Sequence, residues 1–168
     1  MQVTLSRRGD YSVRAMLYMA RHADDGRRKA RQVAEAMEIP ERYLTQILAN
    51  LVAAGLLKAT AGPDGGYELL KDPKEITLLQ VVEAAEGPVS LERCVLRGGS
   101  CEWVDTCPVH ETWSRAQQGM TEVLATTTFA DLAQIDTEMR SGTYRTPEDT
   151  PAHIQPTPRG GVDTGNGR

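Results

Sequence analysis

Pro40 is the residue that most constrains how this chain can fold. It follows a short amphipathic stretch, Ala30 to Met37 (ARQVAEAM), and precedes a longer one from Glu41 to about Ala54. Proline disfavours a helical residue before it and is well accommodated in the first turn of a helix. Glu38-Ile39-Pro40 therefore ends one helix and starts the next. In the second helix the apolar positions Leu44, Ile47, Leu48, Leu51 and Val52 recur three or four apart, which leaves Arg42, Tyr43, Thr45, Gln46 and Asn50 on other faces. Gly55 stops it. Two helices joined by a tight turn, the second with a polar N-terminal face, form the helix-turn-helix pattern, whose second helix enters a DNA major groove. On this pattern alone a plain helical bundle is the alternative.

The flanking segments favour the first reading. Tyr11, Val13, Met16, Leu17, Met19 and Ala20 predict a helix from Asp10 to His22, with Ser6 or Gly9 preceding it and the polar run DDGRRK following. After Gly55, Leu56 to Thr60 and Tyr67 to Leu70 are short strand candidates around Ala61-Gly62-Pro63-Asp64-Gly65-Gly66, whose glycines permit the positive φ angles of a hairpin. Such a hairpin after a helix-turn-helix is a wing. Charge is divided the same way. Residues 1–60 hold ten Lys/Arg against six Asp/Glu, a net +4, whereas residues 61–168 carry −8, so the overall −4 hides a basic N-terminal part. Phosphate attraction acts through the surface facing the duplex, and that asymmetry fits DNA.

Thr77 can cap a helix containing Leu78, Leu79, Val81, Val82 and Ala85 that ends at Gly87-Pro88. A polar loop follows to Cys107, then a helix with Pro108 at its first position running to about Thr126. Its Val109, Trp113, Ala116, Met120 and Val123 form a 4-3-4-3 stripe. The stripe covers fewer than the ~3–4 heptads of a secure coiled coil, so it fits either an intramolecular core or a pairing seam. A last short helix is expected from Phe129 to Ile135, ahead of a tail rich in Pro and Gly. The expected fold is mainly α with a small β-hairpin wing: a winged helix-turn-helix domain at 1–88, a loop at 89–107, a long helix and a short one at 108–136, and a flexible tail at 137–168. No apolar run approaches the ~20 residues of a membrane span, and MQVTLSRRGDYSV holds no hydrophobic signal region. A cytoplasmic protein is expected.

All three cysteines, Cys94, Cys101 and Cys107, lie within fourteen residues, and His110 follows the last by three. An odd number of clustered cysteines argues against a disulfide framework and for metal. Thiolates ligate zinc and iron-sulfur clusters, an imidazole can replace one, and Gly98-Gly99 lets the loop curl. Spacing does not choose between zinc and a cluster. His22 and His153 have no such company and are expected in solvent.

The ordered combination of Gly9-Asp10-Tyr11-Ser12-Val13-Arg14-Ala15-Met16, Tyr43-Leu44-Thr45-Gln46-Ile47-Leu48, Gly62-Pro63-Asp64-Gly65-Gly66-Tyr67, Ile76-Thr77-Leu78 and the triple-cysteine loop resembles the IscR- and NsrR-type iron-sulfur transcription regulators, over residues 1 to about 136. The resemblance implies a homodimeric repressor of double-stranded DNA, not an enzyme, paired through the long helix. Its cluster, held by Cys94, Cys101 and Cys107, controls operator affinity through oxidation, nitrosylation or loss. His110 matches the fourth ligand of IscR-like members, which implies a 2Fe-2S cluster; Asp10 matches the partner-supplied ligand of NsrR-like members, which implies 4Fe-4S. His110 and 2Fe-2S are favoured, because a local histidine needs no partner chain, while Asp10 also suits the dipole of a helix N-terminus. A zinc-stabilised winged-helix protein and an iron-sulfur electron carrier are the rivals.

On that resemblance Arg42, Thr45 and Gln46 are expected at base edges and Arg7, Arg8, Arg31 and Lys58 at phosphates, with Tyr43, Gly62 and Pro63 completing the DNA-facing set. The chain departs from the family at Ala61, where an arginine often precedes the wing's Gly-Pro, at Asp64, a frequent glycine position, and at Thr45, where IscR has an acid.

Overall fold

A computed structural model describes residues 5–88 and 107–146. Helix α1 (Arg7–Arg21) is followed by α2 (Ala30–Met37), α3 (Glu41–Ala53), strands β1 (Leu57–Thr60) and β2 (Gly66–Leu69), then α4 (Leu78–Glu86), α5 (His110–Thr126) and α6 (Phe129–Ser141). The described residues are mainly helical with one antiparallel hairpin, as expected.

The first helix starts earlier than its apolar pattern suggested. Ser6 is the cap, its Oγ accepting from the backbone N–H groups of Arg8 (3.2 Å) and Gly9 (3.3 Å), so Gly9 lies inside the first turn. Buried Ser12, Ala15, Met16, Met19 and Ala20 then follow the helical period. The α2–α3 turn closes without glycine: Glu38 takes the left-handed conformation at φ 52°, and the Ile39 N–H reaches back to the Ala34 carbonyl at 3.0 Å. Ile39 is buried there, and its packing offsets the strain of a left-handed non-glycine residue.

The wing pairs Leu57 with Leu69 through Thr60 with Gly66. Its turn has no room at Gly65, where a Cβ would sit 2.1 Å from the Thr60 carbonyl oxygen. The DDGRRK run is no simple solvent loop. Arg28 exchanges backbone hydrogen bonds with Tyr67 at 2.8 and 2.9 Å, adding a third extended segment to the wing. His22 likewise departs from expectation. It packs on Tyr18 with ring centroids 4.4 Å apart and pairs with Asp25 at 2.6 Å, while His153 lies outside the described residues.

One core joins helices far apart along the chain. Leu44, Ile47, Leu48 and Leu51 of α3 meet Met16 and Met19 of α1, and Phe129, at the start of α6, is fully buried with them. Thr77 caps α4, as expected, and does so through a reciprocal box with Gln80; Thr128 and Asp131 cap α6 in the same way. Helix α6 continues to Ser141, past the expected Ile135 end, so the tail expected from 137 begins inside a helix. Arg21 of α1 pairs with Asp136 of α6 at 3.2 Å. Pro108 stands in the turn before α5, which begins at His110 instead. Helix α5 buries none of its residues, and Val109, Met120 and Val123 are exposed. Among the described residues, then, three positions of the stripe are left uncovered, while Trp113 between them is half-buried.

Candidate nucleic-acid interface and metal site

Helix α3 presents its polar face because its apolar face is taken. Leu44, Ile47, Leu48 and Leu51 are buried, which leaves Arg42, Thr45 and Gln46 exposed together at its N-terminal end. An aromatic relay positions that end. The Arg42 guanidinium lies over the Tyr43 ring at 4.7 Å, and Tyr43 packs on Tyr11 of α1 with centroids 5.8 Å apart, tilted by 37°. The Gln46 side-chain amide donates to Asn50 Oδ1 at 2.8 Å, which orients it along the helix. Ser6, Arg7, Arg8 and Tyr11 face Tyr43, Gln46 and Ile47 across an open cleft of ≈ 390 Å³. Residues expected at phosphates and at base edges thus share one cleft.

The wing carries its own charge. Glu68 lies between Lys58 (3.2 Å) and Arg27 (3.6 Å), one carboxylate against two cations. The Lys29 ammonium donates to the Pro63 carbonyl at the exposed tip, beside Gly62. Arg27 and Lys29 were absent from the expected DNA-facing set. Their signal was the RRK run, but only the Arg28–Tyr67 pairing brings it to the wing. Arg31 is exposed yet paired with Glu35 at 2.6 Å, which raises its pKa and weakens its attraction for phosphate.

Among the expected metal ligands, Cys107, His110 and Asp10 are described, while Cys94 and Cys101 lie outside the described residues. Cys107 is a half-buried free thiol, and its carbonyl accepts from the His110 N–H at 3.2 Å, so the two residues occupy one turn at the head of α5. Asp10, in the first turn of α1, pairs with Arg14 at 3.4 Å. Trp113, one turn beyond His110, holds a buried indole N–H without a partner among the described residues. A site rich in thiolate, sulfide and imidazole suits such a turn, since soft sulfur and borderline nitrogen ligands bind iron and zinc, and the sulfur can also accept from an indole N–H.

The family model for Rrf2, described as an iron-dependent transcriptional regulator, matches residues 5–135. The chain belongs to the Rrf2 family. It is 34% identical over 128 residues to the HTH-type transcriptional regulator IscR of Photorhabdus laumondii, covering 76% of this chain and 77% of that one. Its identity to the IscR of Escherichia coli O1:K1 is 31% over 147 residues, covering 85% and 90%. Among solved structures it superposes on CymR, the global cysteine regulator of B. subtilis, with a TM-score of 0.68 at 30% identity, covering 79% of this chain and 98% of CymR. T. potens IscR gives 0.64 at 29% identity, with 83% and 92% covered. This Rrf2 chain is accordingly a transcriptional regulator and not an enzyme, with the IscR-like winged-helix fold. Among its described residues no helix is long and apolar enough to cross a membrane.

Proposed function

We propose that this Rrf2 regulator is a cytoplasmic homodimeric repressor that binds pseudo-palindromic operator DNA, with its affinity set by an iron-sulfur cluster on Cys94, Cys101, Cys107 and His110. The convergence of Arg7, Arg8 and Gln46 on one cleft carries the DNA reading. Arg42, Thr45 and Gln46 read base edges, while Arg7, Arg8 and the wing cations at Lys58, Arg27 and Lys29 hold phosphates, which fix register without specifying sequence. The exposed Val109, just ahead of α5, and Met120 and Val123 on it support pairing with a second copy of the chain, since exposed apolar side chains in line gain by mutual burial.

Three thiolates and an imidazole suit a 2Fe-2S cluster, and a match to an iron-dependent family supports iron over zinc. Such a cluster supplies a one-electron couple and iron atoms open to nitric oxide. His110 is preferred to Asp10 because it shares a turn with Cys107 and needs no partner chain. Helix α4 precedes the segment bearing Cys94 and packs against both α1 and α5, a route by which a change at the cluster reaches the DNA-facing cleft.

Anaerobic purification followed by visible absorption and operator binding, before and after cluster removal, tests the reading. A coloured protein whose operator affinity changes on cluster loss is expected. A colourless zinc protein with unaltered affinity would establish the zinc-stabilised alternative, and a coloured protein that ignores DNA would establish an electron carrier.

A further inference from the structure

The residue that closes α4 also holds the start of α1. Glu86 is the last residue of α4, and its Oε1 accepts from the Ser6 backbone N–H at 3.0 Å and from the Ser6 hydroxyl at 2.6 Å. Ser6 in turn caps Arg8 and Gly9, so one carboxylate anchors the whole first turn that bears Arg7 and Arg8. Position 9 is shaped for this contact. A Cβ on Gly9 would lie 2.4 Å from Glu86 Oε1, and it is the missing side chain that lets the carboxylate reach the turn. Gly9 needs no left-handed backbone, so conformational freedom does not account for it.

We propose that Glu86 is a positioning residue for DNA: it orients the first turn of α1 so that Arg7 and Arg8 meet the phosphate backbone. The proposal rests on the reading that those two arginines contact DNA. It predicts an effect opposite in sign to simple electrostatics. An acid beside a DNA-facing cleft repels phosphate, so deleting it should strengthen binding if charge were its only role. If it positions the arginines, deleting it weakens binding and removes their share of counterion release.

Five variants of the full chain, titrated with a labelled random-sequence duplex over a range of salt, separate these roles. Glu86→Ala removes both charge and acceptor. Gly9→Ala keeps the charge but displaces the carboxylate, in a helix that alanine otherwise favours. Both should bind roughly tenfold more weakly at low salt, with a slope of log K against log salt shallower by about one to two. Glu86→Gln retains an oxygen acceptor without the charge and should bind as tightly as the parent protein or more so. In an Arg7→Ala/Arg8→Ala background, adding Gly9→Ala should cause no further loss. Circular dichroism checks that each variant folds. Unchanged or tighter binding by Glu86→Ala, or a further loss when Gly9→Ala is added to the arginine variant, would overturn the proposal. An arginine variant with the parental salt slope would overturn the phosphate reading itself and the proposal with it, a result distinct from a failure of Glu86 alone.

Discussion

Phe129 donates its backbone N–H to the Ile76 carbonyl at 2.9 Å, and the side chains of both residues are fully buried. Leu78 returns a bond to the Thr127 carbonyl, also at 2.9 Å, so the starts of α4 and α6 are stitched together over one buried ring. Truncating that ring leaves a cavity that neighbours on several helices cannot collapse to fill. Phe129→Ala should therefore cost about 3–5 kcal/mol of unfolding free energy, measured by urea denaturation of the full chain. A loss below about 1 kcal/mol, the size expected of an ordinary surface change, would show that α6 is an appendage rather than part of the core.

Base reading and phosphate holding should separate in binding experiments. Gln46→Ala should weaken operator binding by roughly 1–3 kcal/mol with little effect on random duplex. Arg8→Ala should weaken both and flatten the salt dependence. Equal, uniform losses in the two variants would remove α3 as the reading element.

The ligand set can be read from colour. Cys94→Ala, Cys101→Ala and Cys107→Ala should each abolish visible cluster absorption while far-ultraviolet circular dichroism stays near that of the parent protein. His110→Ala should destabilise the cluster and shift its spectrum, and Asp10→Ala should do little. The reverse pattern would transfer the fourth position to Asp10 and favour a 4Fe-4S assignment.

Gly65 tests the wing. With a Cβ 2.1 Å from the Thr60 carbonyl oxygen, Gly65→Ala must open the turn. An overpacking cost of about 1–3 kcal/mol follows, with faster amide exchange at Tyr67 and weaker DNA binding. Parental exchange at Tyr67 would mean that the turn relaxes without disturbing the hairpin.

The Glu86 contact has a defined pH window. The Ser6 hydroxyl chiefly, then the Ser6 backbone N–H, the Arg8 charge and the Gly9 N–H, hold the Glu86 carboxyl below the ordinary value of 4.5, against the opposing effect of burial. A depressed carboxylate contributes stability above its unfolded value and loses it as pH falls through the folded one. The anchor should thus keep its full strength throughout the neutral range and weaken in acid, where the protonated carboxyl still retains one acceptor oxygen, as the glutamine variant does. NMR titration of the Glu86 carboxyl should give a midpoint below 4.5, and a midpoint above it would mean that the carboxylate does not hold this turn.

What the sequence by itself determined is local. The Pro40 break, the Gly55 stop, the Thr77–Gln80 cap and the Gly62–Gly66 turn each have their physical cause within a few residues, and the structure has an element boundary at each. The exposure of Arg42, Thr45 and Gln46 was legible for the same reason, because the helical period assigns the opposite face to the core. Tertiary structure alone decided the rest. Phe129 reads as the start of a short terminal helix until α1 and the segment ahead of α4 close over it, and Gly9 as well as Ser6 could precede α1 until the caps form. The chain gives no hint that Glu86 meets a residue eighty positions away, or that Arg28 pairs with Tyr67 and carries Arg27 and Lys29 to the wing. These contacts join segments far apart along the chain, and propensity and periodicity describe only neighbours. The α5 stripe shows the same boundary: its spacing was legible, but whether core or partner covers it depended on where the other helices packed, and the described ones leave Val109, Met120 and Val123 exposed.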